Sequence, residues 1–83
     1  MNIQFRDWLQ YNIGLQKRSA SDVISRRKRL LTMVSDPSAL TYDELEILIR
    51  TLQKNERLSA STASGLLRSE KLFRKFISQI KIS

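Results

Sequence analysis

An all-α fold, a small bundle of four helices, is what this sequence of 83 residues predicts. Three observations carry that expectation. The last third, Leu58 to Ile80, keeps one helical period from end to end: at about 100° per residue Leu66, Phe73, Ile77 and Ile80 fall on one side, with Ala63, Ser69 and Phe76 beside them. No segment alternates with period two, and hairpin signals and internal repeats are absent. Gly14, Pro37 and a Thr-x-x-Glu box at Thr41 cut the remainder into helix-length pieces. A helix that buries several large apolar residues on one side cannot do so alone in water, so residues 1 to 57 supply the surface it packs on.

In chain order, Ile3 to Asn12 places Phe5, Trp8, Leu9 and Asn12 on one side, and Gly14 just beyond suits a left-handed C-terminal position. Leu15 to Ser19 is the link, after which Ser19 or Ser21 caps a second helix, Asp22 to Val34, with Asp22 at the positive end of its dipole. Its apolar stripe is Val23, Ile24, Leu30, Leu31 and Val34. Arg27 falls near the middle of that stripe, where its guanidinium must snorkel out, pair with an acid or reach a phosphate. Ser35-Asp36-Pro37-Ser38 ends the helix, because proline cannot continue the hydrogen-bond ladder and disfavours helical geometry in the residue before it. Thr41 and Glu44 form a capping box that starts a third helix running to about Lys54, with Leu45, Leu48, Ile49 and Leu52 on its buried side. Asn55 to Leu58 turns the chain into the last helix, whose first turn Ser59 or Ser61 caps. The expected core is Phe5, Trp8, Leu9, Val23, Leu30, Leu31, Leu45, Leu48, Leu52, Leu66, Phe73 and Ile77.

Composition narrows the chemistry. The chain has no cysteine and no histidine, which removes disulfides, thiolate zinc sites and imidazole acid–base work and makes the cytoplasm the default compartment. The N-terminal residues lack the features of a signal peptide, and no apolar run approaches the ~18 residues of a membrane span. Among the carboxylates Asp43, Glu44 and Glu46, Glu44 is taken by the cap and the other two point to different sides. Gly14 and Gly65 stand alone, so no phosphate-cradling loop is present, and Tyr11 and Tyr42 lack the cluster of bases that would activate a phenol. The expectation is one domain, residues 1–83, without catalytic residues, metal or cofactor.

Charge is the positive signal. Fifteen Lys and Arg against eight Asp and Glu give +7, with a sequence pI near 10.4, which points to a polyanionic partner. The distribution is uneven: Lys17 to Arg29 carries six bases against Asp22, Asp36 to Glu56 carries five acids against Arg50 and Lys54, and Arg57 to Lys81 carries six bases against Glu70. On the last helix Arg68, Lys71 and Lys75 line up with Ser64 and Ser78 opposite the apolar side. Spaced bases can neutralise successive phosphates, and interleaved hydroxyls can donate to phosphate oxygens. Duplex DNA is favoured over RNA, because Phe5, Trp8, Phe73 and Phe76 are read as core and a platform of exposed aromatics to stack single-stranded bases is missing.

The order of these segments, FRDWL, then Gly14-Leu15, then SASDVISRRKRLL, then LTYDELEILIRTL, then LSASTASGLLRSEKLFRKFI, resembles the core-binding domain of phage integrases and other tyrosine recombinases over nearly the whole chain. The resemblance implies a SAM-like helical bundle that sits on one side of double-stranded DNA during site-specific recombination while a separate catalytic domain, in the same or another chain, grips the other. It implies that Ser19 or Ser21, Arg26 and Arg29 of the second helix, and Ser61, Ser64, Arg68, Lys71 and Lys75 of the last, lie near the duplex. The chain departs from the family in having Val23 and Arg27 where an aromatic and an aliphatic residue are usual. The family's catalytic arginines, histidines and tyrosine belong to the separate domain, so this chain is either a fragment or a free-standing relative. Two other classes compete: a protein-interaction module docking through the acidic third helix or its Ile47 side, and a membrane-surface helix formed by the basic last segment. The second is the weaker, since the bundle core claims that segment's apolar face and it contains no tryptophan.

Overall fold

The computed structural model describes residues 4–55 and 57–82. Ile3, the expected start of the first helix, and Glu56 in the last link lie outside the described residues. Among those described, the fold is all-α with four helices and no strand. Helix α1, Phe5–Trp8, runs on into a π-helical turn, Leu9–Ile13, closed by Gly14 at φ 86°. Helix α2 spans Lys17–Met33, a 3₁₀ turn covers Pro37–Ala39, α3 spans Tyr42–Lys54 and α4 spans Ala60–Ile82.

Local signals account for most of the boundaries. At α3 the Glu44 N–H donates to the Thr41 hydroxyl at 3.1 Å and the Thr41 N–H donates to the Glu44 carboxylate at 2.9 Å, completing the expected box. At α4 it is Ser59, of the two candidates, whose hydroxyl accepts from the Thr62 N–H, at 3.2 Å. An apolar residue precedes each cap, and Leu40 with Leu45 and Leu58 with Ala63, at the spacing of a hydrophobic staple, all belong to or pack on one cluster.

The start of α2 differs from expectation. The helix begins at Lys17, with Gln16 at its N-cap position and no side-chain cap, so Ser19 and Ser21 lie inside it and cap nothing. The reason is tertiary: the extra turn buries Ala20 completely in a cluster with Trp8, Leu9, Val23 and Phe76, and that burial outweighs the local preference of a serine for the cap.

Two apolar clusters stack along the bundle. One joins Leu30, Val34, Leu45, Ile49, Leu58, Ala63, Leu66 and Leu67; the other joins Trp8, Leu9, Ala20, Val23 and Phe76, with Phe5 and Phe73 edge-to-face at 5.3 Å on its margin. The early part of α2 therefore meets the late part of α4 and the late part of α2 meets the early part of α4, which makes the two helices antiparallel. The Trp8 indole N–H is satisfied by the Gln79 side chain at 2.8 Å.

Two expected core positions, and one residue of the apolar side of the last helix, lie elsewhere. Leu31 is 42% exposed, because it stands on the side of α2 that the short α1 does not cover, and Leu48 is 37% exposed, because α3 packs through the narrower line of Leu45 and Ile49. Ile80 at the end of α4 is 36% exposed. Ala63, Leu66, Ser69 and Phe76 are buried as the period predicts, and the buried side of α4 extends further to Leu67 and Glu70, since the helix is flanked by α2 and α3 and buries a broad arc.

Candidate nucleic-acid interface

Glu70, the single acid among six bases between Arg57 and Lys81, is fully buried. Its carboxylate accepts from Arg27 Nε at 3.2 Å and from Arg74 Nε at 2.8 Å. The Arg27 guanidinium also lies over the Phe73 ring, 3.5 Å from its centroid, and Arg74 donates to the backbone carbonyls of Pro37 and Leu40 at 2.7 Å each. Of the three fates open to Arg27, it takes the pairing with an acid. The arrangement ties α2, α4 and the 3₁₀ link together between the two apolar clusters, and it engages two arginines, both partly buried, inside the molecule.

The remaining bases of α2 and α4 stand in different surroundings. Arg26, Arg29, Arg68, Lys71 and Lys75 are exposed, and none has an ion-pair partner among the described residues. Ser61, Ser64, Arg68, Lys71 and Lys75 recur at intervals of three and four, so they share one side of α4 over a rise of about 21 Å. All five are exposed. Arg26 brings α2 to this surface: its side chain lies against α4 at Gly65, where a Cβ would come within 2.8 Å of Arg26 Cδ and Nε. Arg29, three residues on, continues the same side of α2. Asp22, one turn before Arg26, is exposed and makes no ion pair with it among the described residues.

Not every expected residue joins this surface. Ser19 and Ser21 are half-buried in the first turns of α2. Two residues apart on a helix, they stand about 200° apart; Ser19 shares the side of Arg26, seven places on, and Ser21 turns away from it.

The third helix carries the acids. The Glu44 carboxyl is held below its ordinary value of 4.5, first by the Thr41 backbone N–H and then by the Thr41 hydroxyl. The Tyr42 phenol is pushed above its ordinary 10.0 by burial, with Glu46 adding to the shift. The outer side of α3 exposes Ile47 at 68%, which lines an open depression with Glu46, Arg50, Thr51 and Lys54, and Leu48 is exposed next to it in sequence. Among the described residues no group of three or more Asp and Glu is placed to hold a metal ion, and no helix is long and apolar enough to cross a membrane.

Sequence reasoning passed over Glu70 and Gly65. A signal for Glu70 was present: Arg27 in an apolar stripe calls for an acid, and Glu70 is one turn before Arg74. Gly65 had no local signal, because its partner Arg26 is distant in sequence. Comparison of the chain with protein-family models, curated proteins and solved structures returns no match.

Proposed function

We propose that this chain is a non-catalytic DNA-binding module that holds double-stranded DNA on the surface shared by α2 and α4. The observation that carries this reading is that Arg26, Arg29, Arg68, Lys71 and Lys75 are exposed and unpaired among the described residues while Arg27 and Arg74 are consumed by Glu70. Unpaired guanidinium and ammonium groups along two packed helices, with Ser61 and Ser64 among them, can neutralise successive phosphates and supply affinity through counterion release. Sequence specificity needs side chains that reach base edges in the major groove, for which Arg68 and Lys71, mid-helix on α4, are the best candidates. The order of motifs along the chain supports a role like that of the core-binding domain of tyrosine recombinases, working in the cytoplasm with a catalytic domain in the same or another chain. Chemistry would belong to that domain: the Tyr42 phenol is shifted upward, opposite to an activated nucleophile.

The test is titration of labelled duplex by fluorescence anisotropy at several salt concentrations. Replacing Arg68, Lys71 and Lys75 together with alanine should make the slope of log K against log salt shallower by about 0.9 for each phosphate that is no longer neutralised. Replacing Arg50 and Lys54 on α3 should leave the slope unchanged; equal losses from both sets would reduce the interaction to diffuse attraction. A second reading, protein docking on the outer side of α3, is favoured by the exposure of Ile47 beside Leu48. It predicts partner binding that is insensitive to salt and abolished in Ile47→Asp.

A further inference from the structure

We propose that Arg26, laid across α4 at Gly65, forms with Arg68 and Ser61 a clamp for a single backbone phosphate, and that Gly65 is the positioning residue that seats Arg26 in it. This rests on the DNA-binding reading above and adds a specific phosphate subsite to it. Glycine inside a helix is unfavourable, and the usual backbone reason for tolerating it does not apply, because Gly14 is the glycine with positive φ and Gly65 is not. What Gly65 provides is room. A Cβ there would stand 2.8 Å from Arg26 Cδ and Nε and 3.4 Å from Cζ, so any side chain would lift the guanidinium off α4.

Held there, the guanidinium has well-defined neighbours. Ser61 and Arg68 lie four residues before and three after Gly65, the two spacings that put Cβ atoms about 5–6 Å apart on a helix surface. Both are exposed. Arg26 has no hydrogen bond or ion pair among the described residues, in contrast to Arg27, whose Nε donates to Glu70. Arg26 from α2 thus lies at Gly65, with the Ser61 hydroxyl and the Arg68 guanidinium on the adjoining turns of α4, and neither arginine is paired with a described carboxylate. The ligand such a set suits is a phosphodiester, whose two non-bridging oxygens accept the planar fork of one arginine and a second donor from the other. It contributes register and affinity, and it reads no base.

The experiment compares wild type, Gly65→Ala, Arg26→Ala and the double variant for binding to labelled duplex at several salt concentrations, with thermal unfolding of each. Each single variant should bind measurably more weakly, by up to about eightfold at 0.1 M salt, with a slope shallower by up to about 0.9, the counterion-release value of one neutralised phosphate, which Arg68 retains in part. The double variant should bind no more weakly than either single one, since both remove the same interaction. Gly65→Ala should melt at or above the wild-type temperature, because only the far end of a flexible side chain must move. Wild-type binding by Gly65→Ala, or losses that add in the double variant, would overturn the clamp. If the Arg68, Lys71 and Lys75 variant weakens binding while Arg26→Ala and Gly65→Ala leave it unchanged, the DNA-binding face stands and the clamp falls. If wild type does not bind duplex, both fall.

Discussion

Arg26 and Arg27 are consecutive residues of α2, and they belong to two regions that use positive charge in opposite ways. Arg27 points into the bundle, pairs with the buried Glu70 and covers the Phe73 ring, and Arg74 completes the group from one turn along α4. Arg26 points outward across Gly65 to a surface with Arg29, Arg68, Lys71 and Lys75. In the first region the charges are wholly or partly buried and hold three segments together; in the second they are exposed and unpaired among the described residues. Net charge does not distinguish the two. The position of a base relative to the apolar stripe, and the presence of an acid opposite it, does.

That contrast can be broken most severely at Glu70. Glu70→Ala would leave Arg27 and Arg74 without their carboxylate, and removing one partner of a buried ionic group costs about 3–5 kcal/mol. For a domain of this size such a loss takes most of the stability, and chemical denaturation should show it as a large drop in midpoint. A wild-type midpoint would mean that the buried network is dispensable. Arg74→Ala should cost less, about 1–3 kcal/mol, chiefly because the carbonyls of Pro37 and Leu40 lose their donor. Its effect should be visible as earlier hydrogen exchange around the 3₁₀ link.

Smaller again is the contribution of the α3 cap, which responds to pH. Folding lowers the Glu44 carboxyl below its ordinary 4.5, so the stabilisation is present above that value and is lost as pH falls through the folded one. Glu44→Gln keeps an oxygen for the Thr41 N–H and removes the titration. Its melting temperature should therefore depend less on pH than that of wild type below pH 4.5, and parallel curves for the two proteins would contradict the assignment. The smallest effect on stability should come from the exposed face itself: alanine at Arg68, Lys71 and Lys75 should change unfolding free energy by no more than about 0.5 kcal/mol, as surface positions do.

The two regions were also unequally legible in the sequence. The α3 cap was readable because Thr41 and Glu44 act on each other within one turn, and Gly14 because only its own backbone is involved. The exposed side of α4 followed from period alone, since bases at three- and four-residue intervals must share a side. Leu31 and Leu48 looked like core because period counting treats every large apolar residue alike, whereas the width of the buried arc depends on how many neighbours a helix has. The start of α2 was missed because Ala20 meets Phe76 only after the chain has folded back. Glu70 and Gly65 were passed over for the same reason, as their partners Arg27 and Arg26 are set by the antiparallel packing of α2 on α4.

The most direct test of the division between structural and available charge is amide chemical-shift mapping of the ¹⁵N-labelled protein titrated with a short duplex. The account predicts changes at Arg26 and Arg29 on α2 and from Ser61 through Lys75 along the exposed side of α4, with the α3 amides around Ile47, Arg50 and Lys54 unmoved. Changes centred on α3, or spread evenly over every basic residue of the chain, would contradict it.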